Sequence, residues 1–175
     1  MAFISIDSMT DYEEELEIAQ NLVKNTLAIT EWFWERNFKS YAKKDDTPVS
    51  IADLASQIYI NSQLKQEFPG DQLIAEEDAT FAGDEELHLI KECFTELNVD
   101  IPDLKGALTY RGSESERQWV IDPIDGTQGY IKELFYAVAI GFMHESDPKA
   151  CAVAMPRYNE RGLAVFLAEK DEGTK

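Results

Sequence analysis

Residues 119–142 read WVIDPIDGTQGYIKELFYAVAIGF, and the fold turns on how this stretch is interpreted. Gln118 to Ile121 is a strand-like run and Phe135 to Met143 is another, so the string Asp122, Pro123, Ile124, Asp125, Gly126, Thr127 stands at a strand end. A bend forced by Pro123 and released at Gly126 would turn both carboxylates and the Ile124 carbonyl inward. Hard oxygen donors gathered in this way suit Mg²⁺. Gly126 lets the backbone approach an anion closely, and a helix opening after Thr127 would offer the N–H groups of Gly126 and Thr127 to phosphate oxygens. An Asp followed by Gly is also ordinary turn chemistry, so the hexapeptide alone leaves a metal-phosphate site and a plain turn both open. Beyond it, Tyr136, Val138 and Ile140 alternate with Ala137, Ala139 and Gly141, as in a central strand with one bulky face and one suited to close packing.

Working outward, Leu16, Ala19, Leu22, Val23, Leu27 and Trp32 keep helical spacing from Asp11 to about Asn37, with acidic residues in the first turns. Trp32, Phe33 and Trp34 fill the core side of this helix. Phe38 to Asp46 reads as a solvated loop or hairpin. Ser50 then caps a helix reaching about Phe68, with Leu54, Ile58 and Leu64 inward and Asp53 in its first turn. Pro69, Gly70 and Asp71 make a turn, and the short strand Gln72 to Ala75 delivers Glu76 and Glu77 at its end. Asp84 caps a third helix striped by Leu87, Ile90 and Phe94, and Asn98 to Arg117 is a poorly patterned connection. Ala150 to Met155 and Leu163 to Ala168 are further strands. Helices followed by strands in hairpin-like succession predict an α+β fold, a layered helix/sheet sandwich with a mainly antiparallel sheet.

The chain has 175 residues, 44% of them apolar and 11% aromatic, enough for one domain with a sizeable core. Sixteen Lys and Arg against 34 Asp and Glu give a formal charge of −18, which repels nucleic acid backbones and anionic membranes. Neither kind of partner is expected. If the substrate is a phosphate ester, such a protein needs divalent cations to bring the anion to its carboxylates. Cys93 and Cys151 lie far apart without metal-ligand spacing, which fits a reduced, cytoplasmic setting, and no run approaches a membrane span. His88 lies within the third helix and His144 in a loop-like stretch, neither beside the Glu76–Glu77 pair or the hexapeptide in sequence, and both read as surface or packing groups.

Three acidic positions remain: Asp53 at a helix start, the pair Glu76 and Glu77 at one strand end, and Asp122 with Asp125 at another. In this order, around the full hexapeptide, they resemble the lithium-sensitive, magnesium-dependent phosphomonoesterases of the inositol monophosphatase superfamily. The similarity is strongest to its 3'(2'),5'-bisphosphate nucleotidase branch, through DTPVSIADLASQ (residues 46–57), FPGDQLIAEED (68–78) and WVIDPIDGTQGYIKELFYAVAIGF (119–142). Ala75 and Glu133 stand where glycine is common in that family, and Gln128 where lysine is frequent.

The resemblance implies the amino-terminal part of the sugar phosphatase fold, with residues 1–175 as a single truncated domain and the carboxyl-terminal α/β half absent. It implies Mg²⁺ ligands from Glu76, Asp122, Asp125 and the Ile124 carbonyl, with Glu77 one layer behind them. Asp53 and the Thr127 hydroxyl would orient and help deprotonate the attacking water, while the N–H groups of Gly126 and Thr127 hold the phosphate. The implied reaction is Mg²⁺-dependent hydrolysis of a small-molecule phosphate ester, 3'-phosphoadenosine 5'-phosphate being favoured and AMP and phosphate the products. Inositol phosphates are the alternative substrates, and a non-catalytic fragment that binds metal or a partner chain is a second alternative. In the family a further Asp, in a Trp-Asp motif, completes the metal shell; here Trp32, Trp34 and Trp119 precede Phe33, Glu35 and Val120. Truncation would leave an exposed edge or apolar face, inviting self-association or a complementary carboxyl-terminal fragment.

Overall fold

The computed structural model describes residues 12–36, 40–42, 48–77, 82–159 and 162–174. Helix α1 (Glu13–Glu35) carries Glu13, Glu14 and Glu15 in its first turn, where the helix dipole favours them. Its expected end residues Asp11 and Asn37 lie outside the described residues. From the expected loop or hairpin, β1 (Ser40–Ala42) pairs antiparallel with β2 (Pro48–Ser50). Ser50 caps α2 (Ile51–Glu67), as its sequence requires. This helix is buried well beyond the expected stripe of Leu54, Ile58 and Leu64, taking Ile51, Gln57, Ile60 and Asn61 inside as well.

After β3 (Gln72–Ala75) comes α3 (Asp84–Glu96), where Gly83 is the cap and Asp84 the first helical residue. That corrects the assignment of Asp84 as the cap; three acids, Asp84, Glu85 and Glu86, occupy the first turn instead. The connection read as poorly patterned contains α4 (Leu104–Thr109), capped by Asp103, whose side chain accepts from the Gly106 N–H at 2.9 Å. A glycine at the centre of a six-residue helix hid it from periodicity. Then follow β4 (Arg117–Asp125), α5 (Thr127–Ile131), β5 (Ala137–His144), β6 (Asp147–Asn159), β7 (Gly162–Glu169) and β8 (Gly173–Thr174). His144 therefore ends a strand rather than lying in a loop, and its Nδ1 meets the Tyr12 hydroxyl at 2.9 Å.

Strands β3 to β8 form one six-stranded sheet in sequence order, parallel between β3 and β4 and antiparallel elsewhere. The α+β architecture with a mainly antiparallel sheet is as expected. On one face, Trp119 and Ile121 pair with Phe142 and Ile140, which pair in turn with Ala150 and Ala152. All are buried in the core formed with α1 and α2. The bulky side of β5 thus faces the helices, and Trp119 packs between Phe68 and Phe142 in tilted ring contacts at centroid distances of 5.2 and 5.0 Å. Val120, Gly141, Cys151, Val153 and Phe166 occupy the opposite face, with Ile74 and Val120 44% and 38% exposed. Among the described residues no helix is long and apolar enough to cross a membrane.

Candidate active site

The amino terminus of α2 places the first acid. Asp53 is fully buried, and its Oδ2 accepts from the Ser50 N–H at 2.9 Å and the Ser50 hydroxyl at 2.6 Å, while its own N–H donates to Ser50 Oγ at 3.3 Å. This is a capping box, and it satisfies helix-end donors while leaving Oδ1 to face elsewhere. Oδ1 meets the Thr127 hydroxyl at 3.2 Å. That hydroxyl also lies 3.1 Å from the Ile124 carbonyl, and its one proton serves either acceptor. Burial pushes the Asp53 carboxyl up to about 7, against the opposing pull of the Ser50 bonds.

The second group comes from β4. Instead of stopping at Ile121 and bending at Pro123, the strand continues to Asp125 and absorbs the hexapeptide in a bulge. Asp122 opposes Ala139 but Asp125 opposes Ala137, so three steps on β4 match two on β5. A bulge tolerates the missing Pro123 N–H and re-aims the side chains around it. Asp122 hydrogen-bonds with Glu76, and its carboxyl is raised to about 7, first by burial and then by the charges of Glu76 and Asp125. Asp122 Oδ1 is itself buried and lacks a hydrogen-bond partner. Ile124 is 1% exposed, whereas Asp125 lies at the surface.

Glu76 directly follows β3, exposed toward Asp122, while the adjacent Glu77 is buried. Sequence reasoning missed what holds this pair. Gln57, one helical turn beyond Asp53, accepts from the Glu77 N–H at 2.8 Å and donates to the Glu77 carbonyl at 2.7 Å. Arg111 donates to the same carbonyl at 2.6 Å. The available signal was the four-residue spacing from Asp53 to Gln57, which puts both on one face of α2.

Gly126 adopts φ +87°, a left-handed conformation that favours glycine, and α5 begins at Thr127 as expected. The first intrahelical bond runs from the Tyr130 N–H to the Gly126 carbonyl, so the N–H groups of Gly126 and Thr127 precede the helical ladder. Tyr130 anchors this short helix to α1 by donating to the Thr30 carbonyl at 2.7 Å.

The structure thus brings Asp53 to Thr127, and Glu76 and Asp125 to Asp122. All the donors are hard oxygens, and the partnerless buried Oδ1 of Asp122 is the kind of atom a cation satisfies. The residues fit Mg²⁺. Glu116, His144 and Glu145 form another group, with one ligand atom from each within 4.8 Å of the others, at the opposite end of β4 and β5.

With this geometry in place, the match to known proteins is direct: the inositol monophosphatase family matches residues 11–175. The chain belongs to the inositol monophosphatase family. Within it, a 3'(2'),5'-bisphosphate nucleotidase from Emericella nidulans is 31% identical over 165 residues, covering 83% of this chain and 47% of the relative. Another, from Candida albicans, is 30% identical over 173 residues, covering 85% and 48%. The chain spans about half the length of these curated relatives. An IMPase structure from Thermotoga maritima superposes with a TM-score of 0.65 at 19% identity, covering 93% of this chain and 50% of that one.

Proposed function

We propose that this chain carries the amino-terminal part of a Mg²⁺-dependent 3'(2'),5'-bisphosphate nucleotidase site, which converts 3'-phosphoadenosine 5'-phosphate to AMP and phosphate. The observation that carries the reading is the meeting of Asp53 and Thr127 beside a carboxylate group built from Glu76, Asp122 and Asp125. The names of the relatives at 30% identity and above support the substrate.

In this reading Glu76, Asp122, Asp125 and the Ile124 carbonyl hold Mg²⁺, with Glu77 behind them. Bound Mg²⁺ supplies charge neutralisation at the phosphoryl group and lowers the pKa of water. The Thr127 hydroxyl donates to ionised Asp53 Oδ1 and accepts from the attacking water, so that as the water gives its proton to Thr127 Oγ1, the Thr127 proton passes to Asp53 Oδ1 and neutralises the carboxylate. The Gly126 and Thr127 N–H groups hold phosphate oxygens through the in-line displacement. No covalent enzyme intermediate is required.

A second reading, favoured by the open apolar sheet face, is a non-catalytic role in which the chain binds metal or a complementary carboxyl-terminal chain without turnover. Phosphate release by the 175-residue chain from adenosine bisphosphate and inositol phosphates, with Mg²⁺ and with or without millimolar lithium, separates the readings. Adenylate turnover lost in Asp122→Ala and suppressed by lithium supports the nucleotidase. Inositol phosphate turnover alone overturns the substrate, and a folded chain without activity favours the second reading.

A further inference from the structure

The ladder between β3 and β4 ends at Ala75 opposite Ile121, because β4 then enters its bulge. The next two residues, Glu76 and Glu77, leave the sheet as the acidic pair of the site. A backbone leaving a sheet needs new partners for its polar groups or it drifts. Gln57 supplies them for Glu77. Its carboxamide accepts from the Glu77 N–H and donates to the Glu77 carbonyl, the same two-bond exchange that an opposed residue makes in an antiparallel ladder.

The amide is fully buried, and its nitrogen also donates to the Leu108 carbonyl at 3.2 Å. Inverting the amide would set donor against donor and acceptor against acceptor at Glu77, so only one orientation fits. Asp53 lies one turn away on the same rigid helix, about 6 Å along its axis. The water-orienting carboxylate and the loop bearing Glu76 are therefore tied by a single helical turn.

We propose that Gln57 is a positioning residue that acts as a one-residue substitute strand, holding Glu76 against Asp122 so that these two carboxylates can share a divalent cation. The inference rests on the reading of Glu76 and Asp122 as cation ligands. Asn61, one turn further along α2, provides the contrast: it is equally buried and donates to the carbonyls of Ala107 and Leu108 at 2.9 and 3.3 Å, with no bond to the acidic pair.

The test is Mn²⁺ binding by isothermal titration calorimetry to the 175-residue chain and to Asp122→Asn, Gln57→Met, Gln57→Asn and Asn61→Leu, each with its urea unfolding midpoint. Asp122→Asn should abolish binding, and both Gln57 variants should weaken it about tenfold or more, the usual effect of removing a group that orients a ligand. Asn61→Leu should lower the midpoint comparably and leave Mn²⁺ affinity within about twofold, because it cuts buried bonds without freeing the ligand loop. Absent Mn²⁺ binding by the unaltered chain, or unchanged binding by Asp122→Asn, overturns the cation site itself. Gln57 variants that bind as the unaltered chain does, or an Asn61→Leu loss as large as theirs, overturn only the positioning role. Hydrogen exchange on the unaltered chain tests the role without any variant: the Glu77 amide should be protected, and exchange at the rate of an open loop refutes it.

Discussion

Replacing Asp53 by Asn should remove much of the pH dependence of folding in the metal-free protein. Burial raises the Asp53 carboxyl from 3.8 to about 7, so the folded state binds its proton more tightly than the unfolded chain does. Folding stability from this group is fully present below pH 3.8 and is lost as pH rises through about 7. Three units correspond to about 4 kcal/mol in all, of which about 2–3 kcal/mol falls between pH 5 and pH 8. Asn keeps the local bonds, since its carbonyl can accept from the Ser50 N–H and hydroxyl, and its amide can donate to Thr127, whose proton then goes to Ile124. Urea unfolding in EDTA, followed by tryptophan fluorescence at several pH values, reads the effect. The unaltered chain should weaken markedly from pH 5 to pH 8, while Asp53→Asn should lose less over that range and match or exceed it at pH 8. Asp122 shifts in the same direction, so a residual slope is expected in the variant. An Asp53→Asn protein as pH-sensitive as its parent, or several kcal/mol less stable at pH 8, would refute the reasoning that an unrelieved buried charge sits at this helix start.

Glu133 holds φ +58°, a left-handed conformation that favours glycine, so Glu133→Gly should raise stability by about 1 kcal/mol. A lower urea midpoint would show that the glutamate side chain contributes more than its backbone strain costs. The open sheet face should drive association: Ile74→Thr combined with Val120→Thr should shift the sedimentation profile toward monomer, and an unchanged profile would clear that face of the role.

The elements most legible in the chain were those whose burial is one-sided. Periodicity in α1 and alternation in β5 each mark a surface with one wet side, and both appear where expected. For α2 the same reasoning found the element and its Ser50 cap but misjudged its depth, because a helix buried on nearly every side carries no contrast between faces. The six-residue α4 gave no signal that periodicity could register, since Gly106 interrupts it and only the Asp103 cap announces it.

The site shows the same division between chemistry and placement. Asp53, Thr127, Glu76, Asp122 and Asp125 could be nominated because carboxylates and a glycine turn advertise themselves by residue type. The device that gathers them could not, because a bulge is a mismatch between two strands and exists only once β4 is aligned with β5. That mismatch ends the ladder to β3 early, and the early ending is what leaves Glu77 in need of Gln57. An uncharged glutamine inside a helix is marked in the sequence only by its four-residue spacing from Asp53, which gives its face but not its partner. Its role follows only when the strand end beside it is seen to leave the ladder, so the cooperation of α2, β3 and β4 at this edge is a property of the fold that no single segment encodes.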